Sequence, residues 1–332
     1  MKNFIKTAAL FSLLPVAAIL LLHMTIKKTN GVKQNFKRIY TGPGVNILSE
    51  MANPKIVGLK SFEGKVYAAS YNEVSAVDLE TFKLKSISPK SARPLISWYL
   101  ADRKLFVTEA NEKSIDKVEG DSIRSVFSLS TPLLKNVPID HTKFVYKTFD
   151  ANFANENFFV HFSNTNKDSM LHPNTPIYND GGFAMDGDFI PTSDKIIYLN
   201  YNVGRFLVFD KSSLKFSAPK LTIDSNTKAP PVVHFSKAGY RIDSKFDIVN
   251  LFGFTDDRYL NIVTNVYSYE DIAQDYDKEN YIIDRYSLVD YTYKNSIRVP
   301  KDHKKYGRLL NAFHSNGRLY LVYSKKILKT SI

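Results

Sequence analysis

The chain has 332 residues, 23 Phe, 20 Tyr and one Trp, a net charge of +12, and no cysteine. Without cysteine there is no disulfide framework, no thiolate zinc site, no thiol nucleophile and no acceptor for a bacterial lipoprotein anchor. An aromatic content of 13% suits pleated surfaces, and closed all-β units routinely use chains of this length as one domain.

From Thr7 to Ile26 no residue is charged, and about twenty helical residues at 1.5 Å each span the roughly 30 Å hydrocarbon layer. A cleaved signal peptide is the rival reading, since Lys2 and Lys6 form a basic start. The residues after the run, His23 to Lys28, offer no small-x-small cleavage site. Residues 1–30 are therefore expected to be an N-terminal membrane anchor, or an uncleaved signal segment. Lys2 and Lys6 on one side face Lys27, Lys28, Lys33, Lys37 and Arg38 on the other, so the positive-inside count nearly cancels. A short tail before a first apolar segment behaves as an export signal. The expected location is thus a bacterial cell envelope, anchored in the inner membrane, with the rest of the chain facing the periplasm or exterior. Four basic residues and no acid lie in the first thirty, which leaves the remainder at +8, suited to anionic surfaces or simply to solubility.

Beyond the anchor one unit recurs: an apolar strand, a short polar turn closed by Lys or Arg, then a second apolar strand. The copies are IVGLKSFEGKVYAAS, LISWYLADRKLFVTEA, KNVPIDHTKFVYKTF, GDFIPTSDKIIYLNY, VNLFGFTDDRYLNIVTN and LLNAFHSNGRLYLVYS. Their turn-closing bases are Lys65, Lys104, Lys143, Lys195, Arg258 and Arg318, at successive spacings of 39, 39, 52, 63 and 60 residues. Gly, Asn and Asp in the turns are hairpin chemistry. A second strand pair follows several copies, with Asp78 and Asp210 placed to open type I turns. A four-stranded sheet of about forty residues hides both faces only when wedged between copies of itself. The last unit is one strand short at Ile332, and residues 34–41, QNFKRIYTG in part, lie unassigned ahead of the first. They are expected to complete the last blade and lock the ring.

The expected fold is all-β, a six-bladed β-propeller over residues 34–332 preceded by one N-terminal transmembrane helix. On its repeat grammar the chain resembles the broad superfamily of six-bladed propellers that includes NHL, YWTD and lactonase-like proteins. It carries neither a YWTD tetrapeptide nor an Asp-box, so the resemblance implies the fold and no particular activity.

Three insertions lengthen the spacing. Residues 151–182 carry Phe153, Phe158, Phe159, His161, His172 and Tyr178 among many Asn, a mixture of flat apolar and amide groups suited to sugars or peptides, although FFVHF also alternates like a core strand. Residues 224–245 form a basic stretch with Lys228, Lys237, Tyr240 and Arg241, and residues 268–281 an acidic one. Asp180, Asp186 and Asp188 cluster with three glycines, hard oxygen ligands of the kind calcium prefers, without the EF-hand pattern. Asp140, His141 and His314 occupy corresponding hairpin turns and are candidates for a base or metal ligands.

No HExxH, Walker loop, GxSxG or helix-opening GxGxxG is present, and neither a recognition helix nor an RNP-like motif supports nucleic-acid binding. The expectation is a binding or scaffolding module for a protein, peptide or glycan, held at the membrane by its N-terminal helix and needing no cofactor unless calcium. The alternative is a metal-dependent extracytoplasmic hydrolase or lactonase-like enzyme, using Asp140, His141, Asp186, Asp188 and His314 at the channel mouth.

Overall fold

The computed structural model describes residues 35–332 apart from 63–64, 102–103, 110–111, 120–121, 129–132, 151, 153, 236–238 and 244–245. The expected membrane span over residues 7–26 lies outside the described residues. Among those described, no helix is long and apolar enough to cross a membrane.

The chain is a six-bladed β-propeller. After β1 (Asn46–Ala52), blade one is β2 (Gly58–Phe62), β3 (Lys65–Ala69), β4 (Val74–Val77) and β5 (Leu84–Ser86). Blade two is β6 (Leu95–Ala101), β7 (Lys104–Glu109), β8 (Ser114–Glu119) and β9 (Ser122–Ser128). Blade three is β10 (Lys135–Pro138), β11 (Lys143–Phe149), β12 (Glu156–Phe162) and β13 (Lys167–Leu171). Blade four is β14 (Gly187–Pro191), β15 (Lys195–Asn200), β16 (Arg205–Asp210), β17 (Lys215–Phe216) and β18 (Lys220–Leu221), the last two both paired with β16. A separate hairpin of β19 (Val232–Phe235) and β20 (Gly239–Ile242) precedes blade five, which is β21 (Asn250–Thr255), β22 (Tyr259–Thr264), β23 (Asn280–Ser287) and β24 (Tyr293–Pro300). Blade six is β25 (Leu309–Ser315), β26 (Arg318–Tyr323) and β27 (Lys326–Ser331), completed by β1.

Burial follows from the wedge geometry. In β15 the side chains alternate between neighbours: Ile196 and Tyr198 enter a cluster with Val145 and Phe158 of blade three, while Ile197 and Leu199 join Leu260 and Ile262 of blade five. A strand buried on both faces reads as an unbroken apolar run, and β26 (RLYLVY) is buried at five of six positions. Outer strands meet water instead, and β5 (LKS) is exposed throughout. Among the described residues the buried apolar side chains form six clusters, one between each successive pair of blades. The cluster between blades six and one joins Phe313, Tyr320 and Ile327 to Leu59 and Val66, so the ring is closed by packing as well as by strands.

The closing strand corrects the sequence reading. Residues 46–52 pair with β27, from Asn46 opposite Ser331 to Ala52 opposite Lys326, whereas the expected segment 34–41 runs beside blade five. Tyr40 makes a parallel bridge to Ser296 on β24, with Ser296 N donating to Ile39 O at 2.8 Å and Thr41 N donating to Ser296 O at 3.2 Å. The physical reason lies in Arg38, which is buried and donates to both oxygens of Asp284 at 2.8 and 3.0 Å, to Val266 O at 2.9 Å and to Asp271. Its guanidinium lies 4.6 Å from the Phe36 ring centroid. A short helix, Tyr269–Ala273, presents Asp271, which also receives the Tyr40 hydroxyl at 2.5 Å and closes a capping box with Ser268. The acidic third insertion thus supplies one of the carboxylates that hold the chain's beginning against the ring.

The second insertion, a basic stretch in the sequence, folds in part as the β19–β20 hairpin. The turn aspartates behave as their positions predict: Asp78 Oδ1 accepts from Glu80 N and Thr81 N, and Asp210 Oδ1 from Ser212 N and Ser213 N.

Candidate functional site

Antiparallel order assigns each connection to a face. The turn from a blade's first strand to its second lies on one side of the ring, and the second-to-third and blade-to-blade connections lie on the other. Residues 151–182 include β12 and β13 of blade three, and their irregular parts lie in the β11–β12 and β13–β14 connections; the other two insertions are β18 to β21 and β22 to β23, so all are of the latter kind. One face therefore carries all three, while the opposite face bears the short first-to-second hairpin turns.

On the insertion face a cleft of about 280 Å³ opens between the β11–β12 turn of blade three and the segment from Leu171 to Gly182. Its walls are amide-rich and held by local bonds. Asn155 Nδ2 donates to Asn179 Oδ1 at 2.8 Å and Asn179 N returns a bond to Asn155 Oδ1 at 3.0 Å, stitching the two segments together. Asp150 accepts from Ala154 N at 2.9 Å and from Asn155 Nδ2 at 3.1 Å. Tyr178 receives Arg205 Nη1 on its hydroxyl at 3.0 Å, and the guanidinium stands 5.4 Å from its ring centroid. Arg205 is itself buried and tied to Asn200 Oδ1 at 3.2 Å, so Tyr178 is fixed in place. His172 is exposed and lines the cleft, as does Ile177, which is 79% exposed.

Glu156 stands at the base of this cleft and also borders a second hollow, with Gly181, Gly182, Phe183, Asp186 and Tyr240. Lys147, fully enclosed on β11, donates to Glu156 Oε2 at 2.5 Å, to the Tyr198 hydroxyl at 2.7 Å and to Met185 O at 3.2 Å. Burial pushes the Glu156 carboxyl above its ordinary range, outweighing the pull of Lys147, with Asp186 and Asp180 adding to the rise. Gly182 sits at φ +87°, where a Cβ would stand 2.5 Å from Glu156 Cγ. Close approach of the backbone to this carboxylate thus requires glycine.

The candidates named from sequence are dispersed. His172 and Tyr178 share the cleft, Tyr240 and Asp186 the adjacent hollow, and Lys228 and Arg241 are exposed beyond both. Phe153 and Lys237 lie outside the described residues. His161 is a correction: it is 1% exposed, its Nδ1 is 3.0 Å from Asp168 Oδ1, and its ring lies tilted against Phe127, centroids 3.7 Å apart, in the contact between blades two and three. The strand alternation that turns Phe158 and Val160 towards blade four turns His161 the other way.

The three aspartates are likewise separated in role. Both oxygens of buried Asp180 accept backbone amides, Gly182 N at 2.9 Å and Ala184 N at 2.7 Å. Asp186 is exposed, and Asp188 faces Lys135 at 3.5 Å. Asp140 accepts from Thr142 N at 2.7 Å and from Lys143 Nζ at 2.9 Å within its own turn, beside His141. His314 stands at the matching hairpin of blade six, on the side of the ring opposite the insertions and half a turn away from His141. Among the described residues no group of three or more His, Asp or Glu is arranged to hold a metal ion. The set proposed for a hydrolase is thus divided between two faces.

The sequence matches no family model and no curated protein. Among solved structures the chain is similar to the calcium-binding protein regucalcin from Agrobacterium tumefaciens, at a TM-score of 0.51 and 10% identity, covering 89% of this chain and 97% of that one. It is similar to the N-terminal domain of Nup159 at a TM-score of 0.50 and 10% identity, covering 91% and 99%. BamB from Moraxella catarrhalis aligns at a TM-score of 0.48 and 11% identity, covering 87% and 100%. At such identities the likeness is one of fold.

Proposed function

We propose that this protein is a membrane-tethered, extracytoplasmic binding or scaffolding module whose insertion-bearing face holds a protein, peptide or glycan. One observation carries the reading: the three insertions, the cleft and the adjoining hollow all occur on one face, opposite a face of short turns. Recognition sites concentrate on loops set on a rigid scaffold, and the six interblade clusters supply that scaffold. A wall of Asn side chains with an ordered Tyr178 and two prolines suits an extended peptide or a sugar, both of which offer hydroxyl or amide groups to the exposed amides. The tether follows from the uncharged run at residues 7–26, and a reporter fused after Ile332 in cells checks its orientation.

Crosslinking in membranes of the full chain, followed by co-purification, tests the face itself. The paired changes Ile177→Asp and His172→Ala are expected to lose the captured partner at unchanged thermal stability, since both side chains are exposed. Retention of the partner by that variant, with loss on altering the β10–β11 turn instead, overturns the assignment of faces.

A further inference from the structure

Three connections meet at the rim of blade six on the insertion face: β24 to β25, β26 to β27, and β1 to β2. The first two are tied together, since Lys325 Nζ donates to Lys304 O at 3.0 Å, Lys325 N to Tyr306 O at 3.0 Å and Ser324 N to Arg308 O at 2.9 Å. The third joins them through Asn53 N, which donates to Lys325 O at 3.0 Å. Its turn is braced by the Asn53 side chain, which donates to Ile56 O at 2.9 Å and accepts from Ile56 N at 2.7 Å.

This bracing gathers Lys55, Lys304, Lys305, Arg308, Lys325 and Lys326 against two carboxylates, Glu50 and Asp302. Lys305 Nζ donates to Glu50 Oε1 at 2.7 Å, and Lys326 acts on the same carboxylate. Asp302 is engaged in its own turn, accepting Lys305 N at 2.8 Å. Lys55, Lys304, Arg308 and Lys325 are exposed and, among the described residues, form no ion pair. Gathering unpaired like charges costs the compact state free energy through repulsion, so their value lies in what they meet. Pro54 and Val57, both exposed, flank Lys55 and supply apolar atoms of the kind that settle among lipid headgroups.

We propose that this rim of blade six docks on an anionic phospholipid surface, that of the bilayer holding the chain. The inference rests on the tether proposed above. Residues 27–34 separate Ile26 from the first described residue, Asn35, and eight residues reach at most about 29 Å. Residues 38–41 lie on blade five, the neighbour of blade six, so the basic rim is kept close to the membrane. Anionic leaflets attract basic surfaces within about a screening length. Glu270, Asp275 and Glu279 on the blade-five insertion are exposed and are repelled by the same leaflet, which turns the contact from blade six towards blade one. Blade three stands opposite blade six in the ring, so docking of this rim lifts the amide-walled cleft away from the bilayer and leaves it open to a partner.

The chain has no cysteine, so one introduced thiol carries one fluorophore. Ala52→Cys places it at the rim, exposed and opposite Lys326. Val289→Cys, in the β23–β24 turn on the face of short turns and 93% exposed, is the control. The full chain is reconstituted in phosphatidylcholine vesicles bearing a headgroup nitroxide quencher, with or without roughly 30% phosphatidylglycerol. Quenching at position 52 is expected with phosphatidylglycerol at about 0.1 M salt and is expected to disappear at about 0.5 M, where the screening length falls from about 10 Å to about 4 Å. Each cation contributes about fivefold to the ratio of docked to undocked protein, so Lys55→Gln, Lys304→Gln, Arg308→Gln together are expected to lower it on the order of a hundredfold at unchanged melting. Equal quenching in both lipids, a triple variant quenched like the parent, or position 289 quenched as strongly as position 52 overturns the proposal. So does a label that ignores anionic vesicles and responds to poly-glutamate, which assigns the rim to an acidic protein. Release of the chain by alkaline carbonate refutes the tether alone, because quenching by added anionic vesicles still reports on the rim.

Discussion

Replacing Arg38 with Met keeps the side chain's length and apolar stem while removing the charge that joins the chain's beginning to blade five. Asp271 and Asp284, each 1% exposed, then keep their carboxylates in the interior without the cation between them. Breaking a buried ion pair by deleting one partner costs about 3–5 kcal/mol, because the remaining charge is stranded. At the roughly 2 °C per kcal/mol suited to a large domain, the melting temperature is expected to fall by about 6–10 °C. Calorimetry or circular dichroism at neutral pH measures it. The Arg38→Met, Asp284→Asn double variant is expected to recover part of the loss, since an amide retains the 2.6 Å bond from Ser296 Oγ without an uncompensated charge. A single variant melting within about 1 °C of the parent, or a double variant less stable than the single, refutes the reasoning.

Leu328→Ala, at a fully buried position between blades five and six, is expected to cost about 2–5 kcal/mol in urea unfolding, against under about 0.5 kcal/mol for Val289→Ser at a 93% exposed turn. Gly187→Ala would place a Cβ 2.1 Å from Leu199 O within the blade-four ladder, so this variant is expected to lose well over 1 kcal/mol or to fail to fold, measured by solubility and melting. Bonds to the charged form hold the Asp210 carboxyl well below its usual range, first from Lys195 and then from Ser212 and Ser213; amides of Thr81 and Glu80 do the same for Asp78. A group with a depressed folded pKa stabilises the fold above its unfolded value of about 4 and loses that contribution as pH falls through the folded one. Asp78→Asn, Asp210→Asn is therefore expected to melt with less dependence on acid than the parent below about pH 4, measured by melting at constant ionic strength.

The six repeats were legible because each blade's second strand is buried on both faces, and runs such as LFV, FVY and LYLV record that directly. The closing strand was not. Outer strands are wet, so NILSEMA, exposed at six of its seven positions, carries no run buried on both faces, while the strand-like alternation of Phe36, Arg38 and Tyr40 in QNFKRIYTG serves a different blade. His161 misled for a related reason: its partner Asp168 faces it across β12 and β13, a pairing that register creates and linear spacing conceals. In the cleft, Tyr178 and His172 were recognisable as an aromatic and a polar group within an insertion, but the Asn155–Asn179 stitch joins segments 24 positions apart.

The path of the chain's first described residues has a mechanical consequence. Residues 38–41 are fastened to blade five before residues 46–52 are laid along blade six. A pull applied at the start of the chain therefore loads the Arg38 charges first, across a bond network oriented within one blade. The strand that shuts the ring stays slack until that network yields. The fastening shields the propeller's seam, so tugging by a bilayer or a neighbour would detach a short strap long before it could unzip the wheel.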